Sequence, residues 1–265
     1  MTSQQDKSHE MKHLLSIPSQ VPHVYQKPTH SSPVERQLLT IYSALESTFG
    51  DLHWWPADTD EEMVIGAILV QNVAWKNASL AIEQLRHQEW LGFSRILEAR
   101  QEELEASIHS TRFYRIKAKK LKAFATHLNH HYEGCLQTML SQPMHHLRKE
   151  LLNIYGIGKE TADAIILYAA RQPSFVIDAY TVRIFDRLGF SVPSTDYESF
   201  RLWFMDVLPA DTRLFNQFHA LLDRLGHRLC TTRNPRCEEC PLQSCCMYAL
   251  NQSVEFASQS PPSLF

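Results

Sequence analysis

The amino-acid sequence predicts an all-α fold. Apolar residues recur at helical spacing in many segments, and no stretch alternates with period two for long. The chain has only 8 glycines and 13 prolines among 265 residues, which favours regular segments over turn-rich structure. The hydrophobic fraction of 44% and the charged fraction of 21% are ordinary for a globular protein. This composition excludes collagen-like and low-complexity chains.

The helices are predicted in order from periodicity and from start and stop signals. The first starts after Pro33 and ends at Gly50, and Thr59 with Glu62 forms a capping box for the second. Helices are then predicted at Met63–Gln71, Ala74–His87, Phe93–Ala99, Glu102–His109, Tyr114–His131, Met144–Ile154, Lys159–Ala170, 179–188, 197–207 and 212–229. The polar segments 1–33 and 250–265 are expected to be disordered.

The formal net charge is −3, from 26 basic and 29 acidic side chains, so overall charge does not indicate a nucleic-acid partner. Any site for a polyanion must be a local patch. The basic stretch Arg112–Lys122 is one candidate, and a solvated helix face is its alternative. No apolar run approaches the roughly 18 residues of a membrane span, and no signal-peptide pattern is present. We therefore expect a cytoplasmic protein without a membrane partner.

The segment 151–162 is the most informative part of the sequence. An apolar helix runs into Gly156-Ile157-Gly158, and a second helix starts at Lys159. Glycine permits the φ > 0 geometry of a tight reversal, and Ile157 is expected to point inward. The free N–H groups at the start of the second helix suit a phosphate. An ordinary turn between helices is the alternative.

Asp178 follows Gly158 by twenty residues, directly after the apolar run Phe175-Val176-Ile177. Because it precedes the helix predicted at 179–188, it is expected to be the N-cap of that helix. A capping aspartate has its carboxylate fixed in one place, which is compatible with a catalytic role.

Five of the six cysteines fall within 17 residues near the C-terminus. Four of them have the spacing C-x6-C-x2-C-x5-C: Cys230, Cys237, Cys240 and Cys246. With no secretion signal, such a group indicates a metal or cluster site rather than disulfides. Four thiolates suit either a [4Fe–4S] cluster or a tetrahedral zinc. Cys245 is either a spare thiol or an alternative fourth ligand.

The hairpin, the twenty-residue spacing and the run 176–180 resemble the helix-hairpin-helix DNA glycosylase superfamily, specifically relatives of endonuclease III. The resemblance implies that Asp178 is catalytic and that the cysteine loop holds a [4Fe–4S] cluster. It also implies that Gln71, at the end of its helix, enters the duplex and fills the space left by a flipped base. The hairpin residues expected to contact DNA are Gly156, Ile157, Gly158 and Lys159.

Four residues resemble the aromatic pocket of the 3-methyladenine glycosylases related to endonuclease III: Trp54, Trp55, Pro56 and Trp75. Such a pocket stacks an alkylated purine between aromatic faces. An alkylated adenine is cationic, and tryptophan gives the strongest cation–π attraction. The alternative is that these tryptophans belong to the core.

One position departs from the bifunctional relatives, which carry a lysine where this sequence has Glu160. Lys159 lies one residue earlier, and one residue turns a helix by about 100°. Lys159 is therefore expected to point to solvent or phosphate. Schiff-base chemistry needs a positioned amine, and none is found at that place. Glu160 is expected to line the pocket and to hold the base edge or a water molecule.

The sequence thus predicts a monofunctional DNA glycosylase of base excision repair, associated with the nucleoid, which acts on double-stranded DNA with an alkylated base and needs no obligate protein partner. One alternative is a bifunctional glycosylase/lyase for oxidised pyrimidines with a displaced lysine. The other is a non-catalytic DNA-binding iron–sulfur module. Two helical lobes are predicted: residues 60–178 with the hairpin helices 151–170, and residues 35–59 with 179–249, including the cluster loop 230–246.

Overall fold

Helices make up the regular structure of this computed structural model, which describes residues 32–252 except Pro193 and Thr195. The helices are α1 (Pro33–Phe49), α2 (Asp60–Leu69), α3 (Trp75–His87), α4 (Phe93–Glu98), α5 (Gln101–Ser107), α6 (Tyr114–Tyr132), α7 (Leu136–Leu140), α8 (Met144–Asn153), α9 (Lys159–Ala164), α10 (Ala179–Leu188), α11 (Tyr197–Val207) and α12 (Thr212–Arg228). Residues 247–252 are also helical, and the described residues contain no strand. The all-α prediction is confirmed. The extensions expected at 1–33 and 250–265 lie almost entirely outside the described residues.

Most predicted helices begin and end within two residues of the observed ones. Helix α2 begins three residues before its predicted start at Met63, and there are two further differences. Helix α7 was not predicted, because five residues are too few to show a period. The helix predicted at Lys159–Ala170 changes its pitch after Ala164. There Ile165–Ala169 forms a wider π-helical turn, closed by a 3.0 Å bond from the Ala170 N–H to the Ile165 carbonyl.

Helix α2 is central, because residues 62–69 are all buried. Thr59 caps it as predicted and accepts a hydrogen bond of 3.1 Å from the Glu62 N–H. The Glu62 carboxylate binds the Asp58 N–H at 3.3 Å and the Arg86 guanidinium at 2.6 Å. The second half of the predicted capping box is therefore displaced by one residue, because Arg86 draws the carboxylate away from the helix start.

The helical segment that follows the hairpin contacts helices from both the first part and the last part of the chain. The π-helical turn packs against α2 on one side and α12 on the other, and α12 also packs against α1 and α10. The described residues from Ser32 onward form one compact unit. The division into two lobes stays a prediction. No helix within residues 32–252, as far as these are described, is long and apolar enough to cross a membrane.

A buried charge network ties the hairpin helices to the segment before Asp178. Asp163 on α9 has no exposed surface. Its carboxylate accepts hydrogen bonds from Arg148 on α8 at 2.9 and 3.0 Å and from Arg201 on α11 at 3.0 Å. The hydroxyls of Ser174 and Tyr197 donate to it at 2.5 and 2.9 Å. The Asp163 carboxylate thus connects four parts of the chain: the hairpin helices α8 and α9, helix α11, and the loop that leads to Asp178.

The basic stretch Arg112–Lys122 is neither an open phosphate patch nor a simple solvated face. The Lys117 ammonium is buried and donates to the carbonyls of Leu69 at 2.8 Å and Thr111 at 2.6 Å. Burial lowers the pKa of Lys117 to about 8. Lys120 and Lys122 also bind protein oxygens. Lys117, Lys120 and Lys122 therefore stabilise the fold. Lys117 and Lys122 donate hydrogen bonds to backbone carbonyls, and Lys120 donates to the side-chain amide oxygen of Gln71.

Candidate active site and its DNA-facing surface

Asp178 is the N-cap of α10, as predicted. Its Oδ1 accepts a hydrogen bond of 2.6 Å from the Thr181 N–H. Its side chain is only 13% exposed. The buried residues Phe175, Val176 and Ile177 anchor the preceding chain. The carboxylate is therefore held at one place, with Oδ2 left for other partners.

Helix α12 places a histidine beside that free oxygen. His219 Nε2 lies 3.7 Å from Asp178 Oδ2. The other ring nitrogen, Nδ1, lies 2.6 Å from the Tyr168 hydroxyl on the π-helical turn. Sequence reasoning missed both residues, which are buried and separated by 51 positions. A single histidine on the apolar face of a helix carries no signal of its own.

Glu160 stands at the start of α9, on the same side as Asp178. The protein packed around its carboxyl and, second, the charge of Asp178 raise the pKa of Glu160 to about 7. The residue keeps exposed surface, so water reaches it. Near neutral pH the group is divided between its acid and its carboxylate form, and it can both donate and accept a proton. Lys159 is exposed, as predicted.

The three predicted pocket tryptophans do come together. The ring centroids of Trp54, Trp55 and Trp75 lie 5.3 to 5.6 Å apart, and Tyr168 lies 5.5 Å from Trp55. The indole N–H groups of Trp54 and Trp55 are buried without a hydrogen-bond partner. Pro56 is exposed. The indoles pack against one another, so a base that stacks here must separate a pair of indoles or use an outer face.

A cavity of about 430 Å³ opens beside this aromatic cluster. Its lining includes Trp54, Trp55, Tyr168, Asp60 and Arg171. Trp75, Asp178 and Glu160 are not among its lining residues. Its volume falls within the range of small-molecule pockets. Tyr168 links the two regions, because it is a lining residue of the cavity and its hydroxyl contacts His219.

The hairpin has the predicted shape, with one correction. Gly156 adopts φ +86°, which an L-residue rarely takes, and Ile157 is buried at 5% exposure. Gly158 has an ordinary φ of −89° and open space around it. Only the first glycine is therefore required by backbone geometry, while the second leaves the start of α9 uncovered.

Gln71 is held on the hairpin rather than extended into solvent. Its amide Nε2 donates to the Gly156 carbonyl at 3.1 Å and to the Thr161 hydroxyl at 2.9 Å. Its Oε1 accepts from the Lys120 ammonium. To enter a duplex, Gln71 must exchange these partners for DNA.

Phe113 is a surface feature that sequence reasoning missed. It is 52% exposed and follows Arg112 in a turn where both residues have positive φ, 47° and 55°. Lys117 fixes this turn to the end of α2, because its ammonium binds the carbonyls of both Thr111 and Leu69. The sequence did contain a signal for an exposed apolar side chain here, because Phe113 lies between Arg112 and Arg115 at a predicted helix start.

The cysteine loop brings the four predicted thiols to one pocket. Cys230, Cys237, Cys240 and Cys246 all line it, whereas Cys245 is exposed and is not a lining residue. Arg187 on α10 closes one side, with its guanidinium 3.2 Å from the Cys230 sulfur. No three metal-ligating side chains of the described residues are close enough for a single ion.

Comparison with known proteins places this geometry in context. Residues 65–209 match the HhH-GPD superfamily, described as base excision DNA repair proteins. The chain is 38% identical over 209 residues to a protein of Methanocaldococcus jannaschii named as a DNA repair glycosylase. That alignment covers 78% of this chain and 94% of the relative.

Solved structures share the fold at lower sequence identity. An endonuclease III–DNA covalent intermediate has a TM-score of 0.71 at 22% identity, covering 83% of this chain and 98% of the other. A 3-methyladenine DNA glycosylase of H. pylori bound to 1,N6-ethenoadenine has a TM-score of 0.63 at 23% identity, covering 71% and 96%. Both similarities concern the arrangement of helices.

Proposed function

The chain belongs to the HhH-GPD superfamily of base excision DNA repair proteins, and on that premise we propose that it is a monofunctional DNA glycosylase for alkylated bases. The observation that carries the proposal is the carboxylate of Asp178, capped, mostly buried and flanked by Glu160 and His219. In base flipping, the target nucleotide leaves the stack and enters a pocket of the enzyme. The partner is double-stranded DNA with a damaged base.

Asp178 is assigned the electrostatic role. Cleavage of the N-glycosidic bond leaves positive charge on the sugar, and a fixed carboxylate stabilises it because no reorganisation is needed. Water then adds hydroxide to the sugar carbon, and its proton passes to a carboxylate. Glu160 is suited to take that proton, since its pKa is about 7. A cationic alkylated base leaves as a neutral molecule and needs no strong acid.

The base preference rests on the aromatic cluster Trp54, Trp55 and Trp75. A cationic purine over an indole face gains roughly 0.5–2 kcal/mol, and a neutral lesion does not gain this electrostatic term. The buried indole N–H groups of Trp54 and Trp55 have no hydrogen-bond partner in the protein, so a base edge could bind them only after the indoles have separated. We therefore assign alkylated purines as the substrate class.

DNA contacts are assigned to the hairpin and to two residues beside it. The exposed Gly158 and Lys159 leave the α9 N-terminus open to a phosphate, while the buried Ile157 fixes the turn from inside. Gln71, which is bound to the hairpin, and the exposed Phe113 are assigned to enter the duplex from the adjoining loops. An apolar wedge between base steps unstacks and kinks DNA, which is the role given to Phe113.

A bifunctional enzyme is the second candidate, and Lys120 is the residue that favours it. Its ammonium lies against Gln71, and burial lowers its pKa. Partial desolvation is one way in which proteins activate a lysine amine. Lys76 and Lys159, by contrast, are exposed.

A lesion panel with borohydride separates the two candidates. The intact protein is incubated with duplexes that carry 3-methyladenine, a ring-saturated pyrimidine, or an abasic site. We expect release of 3-methyladenine, an uncleaved abasic strand and no covalent trapping, since trapping requires an imine. Efficient trapping that is lost in Lys120→Met and kept in Lys159→Met would establish the bifunctional enzyme instead. Absence of base release from every duplex would contradict both.

The cysteine pocket is proposed to hold a [4Fe–4S] cluster. The donor set fits, because the four thiols line one pocket and four cysteine thiolates are the ligand set of such a cluster. Burial raises the pKa of Cys240 to about 11, so the bound group must displace protons. Arg183 and Arg187 bind backbone carbonyls at the start of the loop. When bound, the cluster supplies a cross-link that holds this loop against α10.

Iron analysis tests the ligand assignment. Cys240→Ser is expected to lose most of the iron and the brown colour of the purified protein, because it removes one of four thiolates. Cys245→Ser is the matched control, since Cys245 is exposed and outside the pocket, and it should keep both. One zinc per chain and no iron in the unchanged protein would contradict the proposal.

Replacing each hairpin glycine by alanine is expected to affect a different property: protein stability for Gly156 and DNA binding for Gly158. A Cβ at Gly156 would lie 2.2 Å from Lys120 Cγ, and its left-handed φ would cost an L-residue about 1–2 kcal/mol. Gly156→Ala should therefore lower the unfolding temperature and free Gln71. Gly158→Ala meets nothing within 4 Å and should keep its stability while weakening DNA binding. Thermal unfolding and binding across a salt series measure both, and equal stability losses would contradict the assignment.

A further inference from the structure

His219 and Tyr168 form a buried connection that ends on the carboxylate of Asp178. His219 is 7% exposed and Tyr168 is 8% exposed. The imidazole Nδ1 and the phenol oxygen lie 2.6 Å apart, while Nε2 has no hydrogen-bond partner and faces Asp178 Oδ2 at 3.7 Å. A buried polar atom without a partner is uncommon. Here it points at the most important carboxylate of the proposed site.

The tautomer of His219 follows from what faces each nitrogen. A neutral imidazole carries its proton on one nitrogen only. If Nδ1 carried it, the lone pair of Nε2 would face the negative Oδ2 of Asp178 and be repelled. If Nε2 carries it, a positive N–H edge faces the carboxylate, and the Tyr168 hydroxyl donates to Nδ1. The second arrangement satisfies both ends, so Tyr168 fixes the tautomer that Asp178 requires.

Other ionisable groups lie near Asp178. The negative ones repel its carboxylate, so a hydrogen-bond donor to Oδ2 stabilises that carboxylate more strongly. Glu160 faces it from α9, and its charge contribution is repulsive. Asp223, one turn after His219 on α12, adds a second carboxyl whose pKa is raised by burial and by Asp178. Tyr180 on α10 feels the charge of both Asp223 and Asp178. His219, His227 and Arg224 act in the opposite direction and lower the pKa of Asp223. The Nε2 edge of His219 is the donor aimed at Oδ2.

We propose that His219, held in its Nε2–H tautomer by Tyr168, is the positioning residue of Asp178. It holds the second carboxylate oxygen in the direction of the reacting sugar, and the first oxygen is held by the helix cap. The proposal rests on the proposed function, since Asp178 is there the group that stabilises the sugar cation. Tyr168 also contacts Trp55. The same tyrosine therefore packs against the aromatic cluster and holds His219, which faces the Asp178 carboxylate.

The experiment compares three variants of the full chain with the unchanged protein. His219→Leu removes both nitrogens. His219→Gln restores an N–H near the Nε2 position, and Tyr168→Phe keeps the ring against Trp55 but frees the tautomer. Single-turnover base release is measured against pH with the unfolding temperature of each variant. Long-range ¹H–¹⁵N spectra report the His219 tautomer, and ¹³C spectra follow protonation of the Asp178 carboxyl.

We expect His219→Leu to lose up to roughly 100-fold in rate, with an unfolding temperature close to that of the unchanged protein. His219→Gln should recover most of the rate, and Tyr168→Phe should fall between. The two spectra test the inference even if no lesion is processed. An Nδ1–H tautomer in the unchanged protein, or an Asp178 carboxyl ¹³C signal that is the same in His219→Leu, would overturn it. Base release by His219→Leu at the rate of the unchanged protein would overturn it as well.

Discussion

Asp178→Asn is expected to lower base release by roughly 10²–10³-fold and to leave the fold and lesion binding intact. Asparagine is nearly isosteric and is itself a favourable N-cap, so the bond from the Thr181 N–H is retained. What disappears is the negative charge beside the sugar cation. The loss should therefore fall on the chemical step, which single-turnover kinetics on a bound duplex isolate.

Asp211→Asn is the matched control for this substitution. Asp211 caps α12 in the same way, accepting a bond of 2.7 Å from the Leu214 N–H, but it is exposed. Its replacement removes a capping charge without touching the proposed site, and base release should stay within about twofold of the unchanged protein. If Asp178→Asn released base at the rate of the control, Asp178 would have no role in the chemistry.

Asp163→Asn is expected to destabilise the protein by about 3–5 kcal/mol, the usual loss when one member of a buried ion-pair group is removed. Its carboxylate binds Arg148 and Arg201, and Arg201 is only 4% exposed. A neutral amide leaves these guanidinium groups with only the charge of Glu198, which binds both. Denaturant unfolding measures the change directly.

The control for this experiment is Glu98→Gln. Glu98 pairs with Arg95, and the two side chains are 70% and 61% exposed. Surface pairs of this kind contribute at most about 1 kcal/mol, so the control should unfold close to the unchanged protein. An Asp163→Asn protein that is equally stable would show that the network is relaxed in solution. It would also remove the link between the hairpin and the loop before Asp178.

Local signals predicted the features of the site that short segments encode. The position of Asp178 as an N-cap needed only the helix pattern that follows it. The buried Ile157 followed from an apolar residue between two glycines, and the four thiols share a pocket because their spacing is local. These features depend on residues within about one turn or one loop.

Tertiary packing decided the rest. His219 meets Asp178 only because α12 packs against α10, and nothing in its own helix distinguishes it from a core residue. Lys117 and Lys120 were expected on the surface from their charge. In the structure their ammonium groups point into the protein, because Lys117 binds the Leu69 carbonyl and Lys120 binds the Gln71 amide oxygen. The family assignment is shown by comparison, whereas the base and the lyase question stay predictions.

The wide turn at Ile165–Ala169 can be regarded as one extra residue inside the helix that follows the hairpin. Tyr168 lies within it, after α9 has already placed Glu160. Deletion of one residue there would restore the α-helical pitch and remove the wide turn, while the chain on either side kept its place. Glu160 and the loop to Asp178 would keep their places, but the side chains inside the turn, Tyr168 among them, would change direction, and the Tyr168 hydroxyl would lose its place beside His219. Relatives that lack this insertion are thus expected to lack the tyrosine–histidine pair as well, so the two features should be gained and lost together during evolution.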